Sequence, residues 1–415
     1  MSKTVVSPVG QKDRIGELDV LRGVALFGVL TMNFVAFAGP GFGMTEAQAA
    51  VLPTETLDYY AHWGVRWLIG DKANTVFATL FGLGFYLQMQ RGEGKPGFEA
   101  RYRRRLFWLL VFGILNTIFL WAWDILNLYA IAGFILLAMR RWSTRTLVVF
   151  GIVAALYSPW LQEWLIDALA LPVPNSEAFS TSAGILERQA VLISGDYAAL
   201  VGYFWHYTLI DWLLAGGMVA YLIYALGRFA LGAAIGRSGI LSNLPRFLPL
   251  LRRIAWVTIP IGLIIGAVIR LMYTGEFGDD ETVATIGRVL RSPAALILAA
   301  GYCAGIVVAL QKPWGKRLFA PFAPVGQMAL TNYLAQGLIY GFVMSGIGPG
   351  LALAGKIGSF SVLLICIAFF AFQTAFSHWW LARYRFGPME WLWRALTYGE
   401  RPSFRRSEDV AAAVA

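Results

Sequence analysis

Charge is what this chain of 415 residues has least of. Only 14% of it is Asp, Glu, Lys or Arg, against 58% hydrophobic residues, and its mean hydropathy is +0.61. A soluble protein of this length needs more charge to cover its surface, so a water-soluble globular domain is excluded. Many apolar runs instead reach the roughly 20 residues that a helix needs to cross a bilayer. Cysteine is almost missing: Cys303 and Cys366 lie within apolar runs, where a thiol is a small buried side chain. Two distant cysteines and three distant histidines do not make a zinc site, and no metal is expected. Low-complexity linkers and internal repeats are also lacking, so the chain reads as one integral domain.

What charge there is carries a sign. The net +10 does not indicate nucleic acid, because the basic residues stand in short clusters between apolar runs, as the positive-inside rule requires. Sixteen Trp and seventeen Tyr suit membrane interfaces, where an amphipathic ring is half wet. Apolar length predicts an all-α bundle of about ten transmembrane helices, at 18–38, 74–90, 104–121, 124–140, 145–166, 207–227, 254–273, 293–311, 324–346 and 357–382. "RGEGKPGFEARYRRR" (91–105), "RRWSTR" (140–145), the arginines Arg228, Arg237, Arg246, Arg252 and Arg253, "KPWGKR" (312–317) and the tail from Arg383 to Arg406 mark inner loops. The acidic "GEFGDDE" (275–281) and the turn "WAWD" (121–124) then fall outside, with both termini cytoplasmic. "AFA" (36–38) resembles a signal-peptide cleavage site, but the apolar stretch is longer than a typical h-region and charged at its start, so it reads as a retained helix. The expected organisation is a cytoplasmic segment 1–17, a transmembrane domain 18–382 and a basic amphipathic tail 383–415.

Two outer segments are too long for turns. Residues 39–73 hold "ETLDYYAHWGVRWLIG" (55–70), and 167–206 hold "LPVPNSEAFSTSAG" and then "ILERQAVLISGDYAALVGYFWH"; each reads as a loop followed by an amphipathic helix at the outer face. Such long connections are more often functional than idle.

Polar side chains inside apolar runs bear a cost of at least about 2.5–3.5 kcal/mol when charged at mid-membrane, so each is a candidate. Asp19 and Arg22, three apart near the inner interface, share a helix face; they read either as an interfacial ion pair or as the mouth of a pocket where Arg22 holds a phosphate. Asn33, further along, reads as interhelical glue or as a donor to a reacting carbonyl. Of the three histidines, His62, His206 and His378, the first two are placed to act at an outer mouth. His62 has Asp58 one turn before it and Arg66 one turn after; His206 precedes Asp211 by five residues. Asp124 reads as a helix N-cap or as part of a polar cluster with Asn127 and Tyr129. Asn332 and Gln336, at i and i+4, read as glue or as a pocket wall. In the tail, Pro388 starts a helix, Glu390 and Arg394 pair at i,i+4, and the aromatic residues Trp391, Trp393 and Tyr398 let it rest on the inner interface.

Five stretches together resemble a family. "LDVLRGVALFGVLTMN" (18–33), "FATLFGLGF" (77–85), "RRLFWLLVFGILNTIFLWAWDIL" (104–126), "ALTNYLAQGLI" (329–339) and above all "FGPMEWLWRALTYG" (386–399) resemble the YeiB-like bacterial membrane proteins, domain-of-unknown-function family 418, over about residues 14–400. That family often has a histidine where this chain has Asn116, so any chemistry tied to it is lost here. More distantly, the chain is similar to transmembrane acyltransferases typified by heparan-alpha-glucosaminide N-acetyltransferase, which moves an acetyl group from cytoplasmic acetyl-CoA to an amino sugar across the membrane. In that enzyme "LDxxRG" opens the corresponding helix, matching Leu18, Asp19, Arg22 and Gly23. An asparagine follows it, matching Asn33, and a histidine of the next outer segment is catalytic, with His62 as its positional counterpart.

These similarities imply an acyltransferase of the inner cell membrane, with acyl-CoA, in the first instance acetyl-CoA, as donor. Asp19 and Arg22 would bind the cofactor, with His62 as base and Asn33 at the oxyanion. Asp71 or Asp58 would orient the imidazole, and Asp71, Asp124, Asn332 and Gln336 would contact substrate. Its partners would be the lipid bilayer and a small-molecule or sugar acceptor, with a homodimer as an option and no nucleic acid. The competing reading is a transporter or lipid-handling protein, for which polar stripes within a bundle serve equally well.

Overall fold

The computed structural model describes residues 16–170, 181–278 and 280–406. Most of the segment 1–17, the loop "LPVPNSEAFS", Asp279 of the acidic loop, the end of the tail, and the side chains at 159 and 211 lie outside the described residues. The chain is 80% helical, with no strand among the described residues. In chain order the helices are α1 (Gly16–Ala38), α2 (Glu46–Ala50), α3 (Glu55–Leu68), α4 (Lys72–Gly92), α5 (Phe98–Phe119), α6 (Leu126–Ala138), α7 (Thr144–Leu169), α8 (Ser182–Ile193), α9 (Tyr197–His206), α10 (Gly217–Arg237), α11 (Leu244–Tyr273), α12 (Glu281–Ala309), α13 (Pro313–Phe319), α14 (Ala323–Gln327), α15 (Ala329–Met344), α16 (Ser359–Arg383) and α17 (Pro388–Tyr398).

Five of them, α1, α10, α11, α12 and α16, are each long and apolar enough to cross a membrane. The two halves of α7, bent by 73° between Ser158 and Trp160, make a sixth if taken as one span. Helix starts follow local chemistry: Ser143 accepts from the Thr146 amide, Asp196 from Ala198 and Ala199, and Asp280 from Thr282. The long segment 39–73 does carry helices, α2 with a Thr45–Gln48 capping box and the amphipathic α3. The amphipathic stretch after residue 181 forms α8 and α9.

Helix α1 runs through the centre and packs on α3, α4, α14, α15 and α16; α10 packs on α4, α6 and α7; α11 pairs with α12. Glycines permit the α4–α10 crossing, since a Cβ on Gly82 would strike the Phe229 carbonyl and one on Gly232 the Thr79 carbonyl. The basic stretches around 99, 140 and 237 meet one another. Arg140 bonds Glu99 at 2.9 Å, and Arg237 donates to the carbonyls of Trp142 (2.6 Å) and Arg140 (2.9 Å).

Three expectations need correction. The run 207–227 is not one helix: a π-helical stretch, Tyr207–Leu214, ends at Ala215–Gly216, where Gly216 at φ +74° turns the chain, and α10 begins ten residues later than expected. Arg228 is therefore not in an inner loop but buried inside α10, and Arg246, Arg252 and Arg253 lie on α11. The run 324–346 breaks at Met328 into α14 and α15, because Glu390 of α17 accepts from the amides of Leu330 (2.6 Å) and Thr331 (3.1 Å) and from the Thr331 hydroxyl (2.6 Å).

Candidate functional site

A chamber of about 780 Å³ opens where α1 begins, α4 ends and α5 begins. Its mouth is cationic: Arg22, Arg91, Lys95, Arg105 and Arg394 line it beside Asp19 and Glu390. Deeper in, its wall is apolar, formed by Phe77, Phe81, Phe85, Leu106 and Leu109 and ending at Tyr129 and Tyr333. The Asp19–Arg22 pair forms as its spacing requires, at 3.1 Å, with Asp19 buried and Arg22 one-third exposed. Gly84 leaves room for this arginine, since a Cβ there would sit 3.2 Å from Nη2 of Arg22. The tail helix α17 does not merely rest on an interface; it completes the chamber. The Arg105 guanidinium lies 3.7 Å over the Trp393 ring, and Trp393 Nε1 donates to the Arg105 carbonyl at 2.8 Å. Burial raises the affinity of Glu390 for its proton, while its bonds to Thr331 oppose that.

Tyr333 links the chamber to a second, small cavity of about 20 Å³, lined also by Asn33, Asn116, Trp121 and Gln336. That is room for one water. Next to it stands Asp124, fully buried in the turn between α5 and α6. Asp124 accepts from the Tyr333 hydroxyl (2.9 Å), the Asn116 amide (3.0 Å) and the backbone of Leu126 (3.0 Å). It stands one residue before the N-cap position, Ile125, and its side-chain partners are Asn116 and Tyr333 rather than the Asn127 and Tyr129 side chains expected from sequence. Burial pushes its carboxyl up to about 7, against the pull of the Tyr333 and Asn116 bonds. Asn33 makes no side-chain hydrogen bond among the described residues, and Asn116 Oδ1 is buried without a partner. Gln336 donates to the Leu26 carbonyl at 3.3 Å and lines the small cavity; Asn332 donates to Val325 O and Ser377 Oγ and serves as glue between α14 and α16.

His62 lies elsewhere and lines neither cavity. Burial first, then Arg66 and Arg270, push its pKa down to about 4, so the ring is neutral near pH 7. Neither carboxylate expected to orient it does so. Asp58 accepts from Thr54 Oγ1 (2.7 Å) and caps α16 through the Phe360 amide (2.7 Å). Asp71 forms a two-pronged pair with Arg291, at 2.5 and 2.9 Å. Although burial works upward, Arg291 holds the Asp71 carboxyl well below the usual carboxylate range. His206 and His378 are exposed, the latter 3.1 Å from Pro321 O.

Tyr333 was not among the residues singled out from sequence, and Arg228, expected in an inner loop, is a buried helix residue. Arg228 donates to Thr75 Oγ1 and to Tyr224 O at 3.0 Å, with its guanidinium 3.3 Å over the Tyr224 ring. The signal was present: "YLIYALGRFALGAAIG" is apolar on both sides of the arginine, with no proline and no second charge until Arg237.

Fold and site define a multi-pass, all-helical membrane protein with a cation-rimmed chamber at one end. The family described as "Protein of unknown function (DUF418)" matches residues 235–400. The chain is 31% identical over 407 residues to "Uncharacterized protein YxaH" of Bacillus subtilis (strain 168), covering 95% of this chain and 96% of that one. It is 30% identical over 392 residues to "Uncharacterized protein YeiB" of Escherichia coli (strain K12), covering 92% and 95%. The chain belongs to this DUF418 family of YeiB-like bacterial proteins.

Proposed function

We propose that the chain is an acyltransferase of the inner membrane that takes an acyl group from cytoplasmic acyl-CoA, with acetyl-CoA the first candidate, and passes it to a small-molecule or sugar acceptor arriving from the other side. In this reading ten crossings place both termini, the basic clusters and the chamber mouth in the cytoplasm. The observation that carries it is the chamber itself: a ring of cations suited to phosphates leads into an apolar shaft suited to an acyl chain. A carboxyl with a pKa near 7 stands behind the tyrosine at the far end.

The acceptor oxygen or nitrogen attacks the thioester carbonyl carbon beside Tyr333. Its proton passes to the tyrosine oxygen as the tyrosine proton passes to Asp124. The new C–O or C–N bond forms, the C–S bond breaks, and the proton returns to the CoA sulfur. The Asn33 amide donates to the oxyanion of the tetrahedral intermediate. His62, depressed to about 4 and outside both cavities, is left as a structural group.

Purified protein incubated with radiolabelled acetyl-CoA tests this. Thioester loss is expected for wild type, about 10²-fold less in Tyr333→Phe and Asp124→Asn, and little changed in His62→Ala. Solute counterflow in liposomes that needs no CoA would instead support the transporter reading.

A further inference from the structure

The far end of α4 from the chamber mouth carries a second concentration of positive charge. Arg66 comes from the last turn of α3, Lys72 opens α4, Arg270 lies in the last turn of α11 and Arg291 in the first half of α12. The four act on one another electrostatically: Arg291 repels Arg66, Arg66 repels Arg270, and Lys72 is repelled by all three. Among the described residues the carboxylate that answers them, Asp71, is committed to Arg291 through both its oxygens. Arg66 and Arg270 have no side-chain hydrogen bond or ion pair among the described residues. Among the described residues Arg270 Nε is buried without a hydrogen-bond partner, and Lys72, only 7% exposed, bonds the Arg66 carbonyl at 3.4 Å and nothing else.

Like charges gathered in a half-buried place are costly unless an anion joins them. Three cations are left over here, and two of them are guanidiniums, whose planar forks match tetrahedral oxyanions. A carboxylate would answer only one of the three. A phosphate monoester, with about −1.5 to −2 charge and three acceptor oxygens, answers the set. We propose that Arg66, Lys72 and Arg270 form a binding site for a phosphate monoester at this end of the bundle, with the Asp71–Arg291 pair as its fixed wall. The site does not depend on acyl transfer at the chamber.

Equilibrium dialysis of the full-length protein in neutral detergent against [32P]orthophosphate, at constant chloride, tests it. Saturable uptake of one equivalent is expected. Arg66→Gln and Arg270→Gln should each weaken it about tenfold, the loss expected for a charged hydrogen bond, while Arg66→Lys loses less. Arg145→Gln, an exposed change at the start of α7, should leave uptake unaltered. Thermal transitions in phosphate-free buffer show whether each variant is folded. Competition identifies the natural source: displacement by short-chain phosphatidic acid and not by short-chain phosphatidylcholine points to a lipid headgroup, whereas displacement by glycerol phosphate alone points to a soluble ester. Unsaturable uptake, or saturable uptake unchanged in both glutamine variants, overturns the proposal.

Discussion

Tyr333 donates its hydroxyl hydrogen to Oδ1 of Asp124 across 2.9 Å, tying α15 to the turn between α5 and α6 at the point where the chamber meets the small polar cavity. Everything proposed for the chemistry passes through this contact, because it joins a group that faces the chamber to a carboxyl that titrates near neutrality.

Asp124 and His62 should give stability opposite slopes with pH. The Asp124 carboxyl is raised from 3.8 to about 7, so between these values the unfolded chain has lost a proton that the folded chain keeps, and stability falls as pH rises. His62 is lowered from 6.5 to about 4, so between these values the unfolded chain holds a proton that the folded chain lacks, and stability falls as pH drops. The two partly cancel in wild type. Thermal unfolding in detergent from pH 4 to 8 should show Asp124→Asn gaining stability with pH and His62→Gln losing it. Parallel slopes in the two variants would contradict these burial environments.

Glu390 holds the start of α15 through three hydrogen bonds. Glu390→Ala should cost about 1–2 kcal/mol, as loss of a helix cap does. It should also speed proteolysis within 388–406, whose docking forms part of the chamber wall. Glu390→Gln, which keeps one acceptor oxygen, should lose less. Unfolding midpoints and limited trypsin digestion read both effects.

Two glycines separate packing from propensity. Gly82→Ala drives a methyl into the Phe229 backbone and should destabilise by about 1–3 kcal/mol. Gly341→Ala, in α15 with open space around it, should be neutral or stabilise by up to about 1 kcal/mol. Equal effects at the two sites, by thermal unfolding, would show that α4 and α10 do not pack this closely.

Arg22 and Arg105 should carry affinity for CoA thioesters. Arg22→Gln and Arg105→Gln should each weaken binding about tenfold, the loss of a charge-assisted contact. Each should also flatten the salt dependence of affinity, measured by calorimetry between low and high ionic strength.

The all-helical class and the presence of several membrane-length helices were legible in apolar length, because a membrane helix must be long, and five of the described helices are long and apolar enough to cross. Asp19 and Arg22 were legible too, since three-residue spacing on one helix dictates their contact. The misreadings share a cause. Arg228 looked like a loop marker because charge was taken as solvated, yet Thr75 and Tyr224 on neighbouring turns of packed helices hold it. The break at Met328 is imposed by Glu390, about sixty residues away, which no local pattern announces. Likewise, periodicity within one segment could not tell that Asn33 and Gln336 share a cavity with Asn116 and Tyr333 while His62 falls beside Arg66 of its own helix and Arg270 of α11. Those groupings depend on which helices pack together, not on spacing within any one of them.

Photolabelling tests the central claim most directly. An acyl-CoA bearing a diazirine on its acyl chain, irradiated with the purified protein, should label residues within 77–85 and 106–109, the shaft lining, and excess CoA should suppress the label. Labelling confined to the exposed face of α11 around Trp256, or labelling that CoA leaves unchanged, would show that the chamber is not the acyl-CoA site.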